Sequence, residues 1–255
     1  MDADERRQYI LDKLNKNGKI SIADISSELN ISRETIRKDI YTLADERKLV
    51  AIRGGAVRIA NHIGETKYGQ RALEYADQKR EIATRALKLL SNDQTIFLDY
   101  GSTIVELARQ IEASDLQNLT IVTDSVNVVK VFQYSKKHHV ICLGGALRSE
   151  EGSFSGPLTL NAIDNLFCDT AFFGCAAISL EAGITNHYFN EVEVSQKMLK
   201  HSNSSYVLAD SSKFGHEALY KEFDLKEITG LITASDFSMV TRETFAASGY
   251  SHLFF

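Results

Sequence analysis

The stretch Ile31-Ser32-Arg33-Glu34-Thr35-Ile36-Arg37-Lys38-Asp39-Ile40-Tyr41-Thr42-Leu43 constrains this chain more than any other. Ser32 is a favoured N-cap residue, so a helix begins at Arg33. On the helical period Ile36, Ile40 and Leu43 form one apolar stripe, while Arg33, Arg37 and Tyr41 run along another face with Lys38 beside them. One face packs and the other is basic. A first turn carrying Ser32, Arg33 and Thr35, followed by Arg37 and Lys38, offers donors to base edges and cations to phosphates. An ordinary amphipathic helix with a solvated charged face has the same pattern, so the neighbouring segments decide.

Upstream, residues 4–16 place Tyr9, Ile10, Leu11 and Leu14 at near-helical spacing, and Gly18 follows as a stop. Ser21-Ile22-Ala23-Asp24 resembles a capping box for a short second helix whose apolar face is Ile22, Ala23, Ile25 and Leu29. Asn30-Ile31 is then the tight turn of a helix-turn-helix. Downstream, Leu49-Val50-Ala51-Ile52 and Ala56-Val57-Arg58-Ile59 flank Arg53-Gly54-Gly55, which reads as a hairpin with a glycine tip. Three helices and a cationic hairpin make a winged module, with Ser32, Arg33, Thr35, Arg37, Lys38, Arg53 and Arg58 as its DNA-binding candidates. A winged module that binds protein instead predicts an uncharged groove face, against which Arg33, Arg37 and Lys38 stand.

With 255 residues, 44% apolar and 25% charged, the chain holds two globular domains. Its net charge of −5 divides unevenly. Residues 1–58 hold 12 Lys and Arg against 10 Asp and Glu, a charge of +2; the rest holds 17 against 24, a charge of −7. So weakly basic a module has little non-specific affinity, and DNA binding must rest on specific contacts in a homo-oligomer, dimer or tetramer. No apolar run is long enough for a bilayer and no hydrophobic signal core follows the charged N-terminus, so the expected setting is the cytoplasm. Cys142, Cys168 and Cys175 sit in apolar runs and read as buried reduced thiols, neither a disulfide framework nor a zinc pattern. No metal site or cofactor motif is expected.

The expected domains are residues 1–59 (winged helix-turn-helix), a linker over 60–77 containing Gly64 and Gly69, and 78–255. After a helix near residues 79–90, short apolar runs alternate with helical stretches: strand 95–98, helix 104–111, strand 119–122, helix 126–134, strand 140–143. That alternation predicts an α/β domain with a mostly parallel sheet. Further on, strands are expected at 171–173, 206–208 and 231–232 and a helix at 191–200, while the Ser- and Gly-rich segment ending in Pro157 reads as loop.

In such sheets ligands gather beyond the C-terminal strand ends. Asp99-Tyr100-Gly101-Ser102-Thr103 sets a glycine, two hydroxyls and backbone N–H groups at a helix start, a natural phosphate cradle. Thr123-Asp124-Ser125, Gly144-Gly145 with Arg148, and Asp210-Ser211-Ser212-Lys213 end other strands. The candidates for a small anionic ligand are therefore Asp99, Gly101, Ser102, Thr103, Thr123, Gly144, Gly145, Arg148, Asp210 and Lys213.

The run Thr35-Ile36-Arg37-Lys38-Asp39-Ile40 with Gly54-Gly55-Ala56 resembles the DNA-binding signature of the DeoR family of bacterial sugar-metabolism regulators. Asp99-Tyr100-Gly101-Ser102-Thr103, Gly144-Gly145, Asp169 with Phe172 and Gly174, Gly183-Ile184-Thr185 and Asp210-Ser211-Ser212-Lys213 resemble its sensor domain in the same order. The resemblance implies a sensor fold distantly similar to ribose-5-phosphate isomerase, a phosphorylated sugar or sugar derivative as effector, double-stranded operator DNA as partner, and repression of a carbohydrate-utilisation operon. Two departures stand out. Ala51 and Arg53 replace the basic residue and histidine usual before the two glycines, and Asp124 stands where the family commonly has asparagine. A carboxylate there repels phosphate, so Asp124 meets sugar hydroxyls or lies outside the pocket.

The alternative is a sugar-phosphate isomerase-like enzyme carrying a winged module, with Asp99, Asp169, Glu191 or Glu193 as general base. Each has a plainer role: the aspartates as loop-ordering acceptors, the glutamates as a solvated helix face. The expectation is a sensor without catalysis.

Overall fold

The computed structural model of the chain describes residues 2–17, 19–45, 48–52, 54–57 and 68–254, which fall into two compact units, Met1–Gly64 and Glu65–Phe255.

The first unit runs α1 (Ala3–Asn17), β1 (Lys19–Ser21), α2 (Ile22–Leu29), α3 (Arg33–Asp45), β2 (Val50–Ile52), β3 (Gly55–Val57). Ile10 and Leu14 of α1, Ile22 and Ile25 of α2 and Ile36, Ile40 and Leu43 of α3 meet in one core with Ile20, Leu49 and Ala56. Ser21 caps α2 by accepting from the Ala23 N–H at 3.1 Å. Asn30 turns the chain out of α2 in the left-handed region, φ 52°, which asparagine tolerates better than most residues. The wing has one strand more than the sequence pattern suggests: β1 and β2 both pair antiparallel with β3. Its two glycines serve different ends. Gly54 has φ +84°, whereas a Cβ on Gly55 would lie 2.0 Å from the Ile20 carbonyl oxygen across the β1–β3 pair.

The second unit begins with α4 (Tyr68–Leu73) and α5 (Ala76–Leu87). The expected linker over 60–77 therefore ends early: residues 68–73 and 76–77 are helical, and 60–67 lie outside the described residues. The reason is a buried ammonium. Lys79 Nζ donates to the carbonyl of Arg71 and, at 2.8 Å, to that of Glu74, satisfying the end of a helix that has no apolar stripe to reveal it.

Then follow β4 (Thr95–Leu98), α6 (Ser102–Ala113), β5 (Thr120–Thr123), α7 (Val126–Phe132), β6 (His139–Cys142), β7 (Ala146–Arg148), β8 (Ser153–Ser155), α8 (Pro157–Ile163), β9 (Cys168–Phe173), β10 (Ala177–Ser179), β11 (Gly183–Asn186), α9 (Phe189–Lys200), β12 (Ser202–Leu208), β13 (Tyr220–Phe223), β14 (Gly230–Ile232) and α10 (Met239–Ala247). Six strands form a parallel sheet in the order β14-β12-β9-β4-β5-β6. Side chains leave it alternately. Ile96 and Leu98 of β4, Ile121 of β5 and Phe172 of β9 pack against α5, α6 and α7; Phe97, Val122, Ala171 and Phe173 point into the opposite core with Val194 and Met198 of α9. This is a helix-covered parallel sheet, as the alternating pattern predicts.

Strands of three or four residues escaped that pattern. β7 and β8 make an antiparallel hairpin from the Ser- and Gly-rich segment expected to be loop, and Pro157 opens α8 in its first turn. β10, β11 and β13 form a small separate sheet. Cys168 is buried and Cys175 half-buried, but Cys142 is exposed, correcting the expectation of three buried thiols: β6 is an edge strand.

Candidate functional site

In the first unit α3 presents the expected face. Ile36, Ile40 and Leu43 are buried, while Ser32, Arg33, Arg37 and Lys38 are exposed and Thr35 is half-exposed. Ser32 Oγ accepts from the Thr35 N–H at 3.2 Å and lies 2.9 Å from Thr35 Oγ1, which sets the helix start. Arg37 donates to Glu34 at 2.8 Å, an exposed pair that yields readily to a phosphate or base edge. Arg53 and Arg58 lie outside the described residues. The sequence pattern did not mark Asp39, which is 4% exposed inside this basic helix and turns inward to the arginines of α1.

In the second unit the sheet reverses its winding at β4: the chain proceeds to β5 and β6 on one side and later fills the other with β9, β12 and β14. Ligands bind at such a switch point, beyond the strand C-termini. Here β4 ends in Asp99 and Tyr100, and Gly101 (φ 106°) feeds α6 with no side-chain cap. Among the described residues the N–H groups of Ser102, Thr103 and Ile104 meet no acceptor, so the first turn of α6 is left open to an anion. The Ser102 hydroxyl donates to the Arg71 carbonyl at 3.4 Å. A cavity of about 180 Å³ between α4, α5 and α6 reaches Ser102, with Lys79, Arg80 and Arg109 on its wall.

Cations converge nearby. Burial first, and then the charges of Lys213, Arg71 and Arg148, hold His187 below its usual range, so three residues far apart in sequence share one neighbourhood. Arg71 binds Glu151, and Arg148 donates to Glu191 at 2.8 Å with its guanidinium 4.7 Å from the centre of the Tyr188 ring. Arg71 and Glu151 were not singled out in the sequence; a cation within a presumed linker has no pattern to reveal it. Glu191, read as part of a solvated helix face, is 1% exposed and also accepts from Ser153. Asp169 is exposed and accepts from the Thr95 N–H at 2.8 Å, at the N-terminal end of β4 and away from this cluster.

Other candidates have local work. Thr123, fully buried, accepts from the Ser125 N–H at 3.0 Å; the Gly144 carbonyl accepts from Thr159 Oγ1 at 2.6 Å. A Cβ on Gly145 would sit 2.1 Å from that same Thr159 oxygen. Asp210 caps the turn that carries Lys213, accepting from the Ser212 N–H at 3.0 Å.

Beneath the cations lie buried carboxylates. Asp99 accepts from Ser195 Oγ and the Gly174 N–H, each at 3.3 Å, and Glu222 from Asn186 Nδ2 at 3.2 Å. Asp124 is fully buried and has its own backbone N–H as the hydrogen-bond donor at its carboxylate, and the buried Tyr100 hydroxyl donates toward the Glu191 carboxylate. Burial, reinforced by Asp124, Glu222 and Glu191, raises Asp99 well above the usual carboxylate range. Burial also raises Asp124, with Glu191 the foremost neighbouring charge, and pushes Glu222 up to about 8.

Residues 6–62 match the model of the DeoR-like helix-turn-helix domain, and residues 74–235 that of the DeoR C-terminal sensor domain. The HTH-type transcriptional repressor GlcR of Bacillus subtilis (strain 168) is 30% identical over 233 residues, covering 91% of this chain and 89% of its own. The glycerol-3-phosphate regulon repressor of Escherichia coli (strain K12) is 25% identical over 233 residues, covering 91% of each. Among solved structures, ribose 5-phosphate isomerase A from Methanocaldococcus jannaschii is similar with a TM-score of 0.41 and 18% identity over 55% of each chain.

Proposed function

Because the chain belongs to the DeoR family of transcriptional regulators, we propose that it is a repressor of a carbohydrate-utilisation operon, released from operator DNA by a phosphorylated sugar or sugar derivative. The observation that carries the reading is the uncapped first turn of α6, joined to Arg71 through the Ser102 hydroxyl, together with the gathering of Arg71, Arg148 and Lys213 about His187, in a chain that also presents the basic face of α3. Backbone N–H groups at a helix start and several cations suit a phosphate dianion. One winged module of slight charge buries too little surface for tight specific binding, so the protein works as a cytoplasmic homo-oligomer on half-sites about one helical turn, or a multiple of it, apart.

Catalysis is not part of this reading. A general base must reach a substrate proton, yet Asp99 is held by Ser195 and Gly174 and Glu191 by Arg148 and Ser153. A ligand shifts an equilibrium only through unequal affinity for two states, so the effector must favour the arrangement that fits the operator poorly.

The test is operator binding with and without a panel of phosphorylated sugars, with thermal shift to find which one binds; ligand at 100 times its Kd should add about 2.7 kcal/mol of stability. Ser102→Ala and Lys213→Ala should keep operator affinity without ligand and lose the response to it. A folded variant that fails to bind DNA without ligand assigns that residue to structure instead, and tighter operator binding by the wild type with ligand reverses the direction of control.

A further inference from the structure

We infer that the open edge of β6 is where two copies of this chain meet, their β6 strands pairing antiparallel about a two-fold axis at Ile141 so that two sheets become one. This goes beyond the proposed function by naming the surface, and it rests on the homo-oligomer of that reading. In the six-stranded sheet β6 pairs with β5 alone. The His139 N–H donates to the Leu119 carbonyl at 2.8 Å and the Leu143 N–H to the Thr123 carbonyl at 3.0 Å. Alternate residues of a parallel strand face the same neighbour, so Val140 and Cys142 direct their N–H and C=O groups away from β5. Among the described residues no backbone group meets them there. The opposite edge of the same sheet is closed, for Phe254 bridges to Leu231 of β14.

The side chains do nothing to keep a second strand away. Edge strands are ordinarily guarded by charge, proline or a bulge. β6 reads His139-Val140-Ile141-Cys142, with no lysine, acid or proline, and its register against β5 is unbroken. Val140 and Ile141 are half-buried, one against each core of the sheet, and each keeps apolar surface for a partner. Around the strand Tyr134, which follows α7, Leu147 of β7 and Leu158 of α8 are each more than half exposed. The α8 helix belongs to this edge because its Thr159 hydroxyl donates to the carbonyl of Gly144, just beyond β6. Stable interfaces bury about 800 Å² per partner, more than one short strand supplies, and these three side chains extend the contact.

The register follows from which residues face outward. Hydrogen-bonded pairs in an antiparallel ladder need outward-facing residues on both strands. Val140 opposite the partner's Cys142, and Cys142 opposite the partner's Val140, meets this within the strand and puts Ile141 against its own copy on the axis. One neighbouring register pairs Val140 with the partner's Gly144, but the Gly144 carbonyl is taken by Thr159 and its φ of 61° turns the chain away. The other pairs Cys142 with the partner's His138, outside the strand. A two-fold axis uses the same patch on both copies and closes the assembly at the pair. Gly144, Gly145 and Arg148 follow β6 at once, so a ligand that orders them acts on a segment continuous with this interface.

The experiment uses the full-length protein. Mild oxidation with copper phenanthroline tests Ile141→Cys made together with Cys142→Ser, since non-hydrogen-bonded antiparallel pairs bring Cα atoms to about 4.5 Å, within disulfide reach. Most chains should run as a covalent dimer. Cys142→Ser alone and the wild type should not, because the two Cys142 residues lie diagonally, about 7–8 Å apart and outside that reach. Cys142→Pro removes one outward N–H and leaves the ladder to β5 intact, so sedimentation velocity should give half the wild-type mass at a concentration where the wild type is assembled. Covalent dimer no more abundant than in Cys142→Ser alone, or a folded Cys142→Pro of wild-type mass, overturns this interface and leaves the homo-oligomer reading standing. A wild type that sediments as a monomer overturns both. Where the proline unfolds the sensor unit, the cross-link alone decides.

Discussion

Arg6 of α1 grips Asp39 of α3: its Nη2 donates to Asp39 Oδ1 at 3.2 Å and its Nε to Oδ2, while Arg7 Nε lies 3.5 Å from Oδ1. A carboxylate in the middle of the basic helix therefore serves to hold that helix against its neighbour, with the Arg6 and Asp39 side chains only 12% and 6% exposed. Removing one partner strands the other. Asp39→Ala should destabilise the winged unit by about 3–5 kcal/mol, the scale for breaking a buried ion pair. Hydrogen exchange of the α3 amides is the readout, and protection equal to wild type would show the pair to be dispensable.

Two neighbouring cations on α3 should behave differently on DNA. Arg37→Ala should cost about 1–3 kcal/mol per half-site and relax sequence preference at one position, since a planar fork reads a guanine edge. Lys38→Ala should weaken all sequences alike and flatten the salt dependence. Binding assays on a matched set of operator variants at several salt concentrations separate them. Uniform losses from both would reduce Arg37 to a phosphate contact.

The wing glycines give a steric prediction. Gly55→Ala places a methyl group 2.0 Å from the Ile20 carbonyl oxygen, and both atoms belong to paired backbone, so the β1–β3 pair must part. Gly54 has open space around it and only its positive φ to defend. Gly55→Ala should therefore cost about 1–3 kcal/mol and Gly54→Asn well under that, since asparagine visits the left-handed region. Thermal melts of the two variants decide it; equal melting temperatures would refute the steric account.

Stability should fall as pH rises toward 8. Glu222 has an ordinary value of 4.5, and burial raises it to about 8 in the folded chain. Between those values the folded state keeps a proton that the unfolded state has released, so the contribution is complete below 4.5 and gone above about 8. Asp99 and Asp124 are raised also and act with the same sign. Melting temperature measured from about pH 5 to 8.5 should decline, and Glu222→Gln should shallow the decline. A rising curve, or one unchanged by the substitution, contradicts the assignment.

The elements that periodicity could find were those with enough residues to express a period. The apolar stripe Ile36-Ile40-Leu43 and the alternation of apolar runs with helices set out α3 and the central strands, because burial on one face of a long element imposes spacing on the residues themselves. β7, β8 and β10 have three residues each, too few for a period, and α4 is held by Lys79 reaching carbonyl groups, an interaction that leaves no mark on hydropathy.

By itself the sequence determined the helix-turn-helix and its basic face, the α/β class of the second unit, and the glycine-hydroxyl turn after β4, since local chemistry fixes caps, turns and faces. Tertiary structure alone decided what surrounds that turn. Arg71, Arg148, Glu191, Lys213 and Glu222 come from five separate segments, and Glu191 changed from an expected surface charge to a buried partner of Arg148 once α9 met the β7–β8 hairpin. Whether a carboxylate is solvated or, like Asp124, shut away from water among other acids depends on what packs over it, and no spacing along one strand records that.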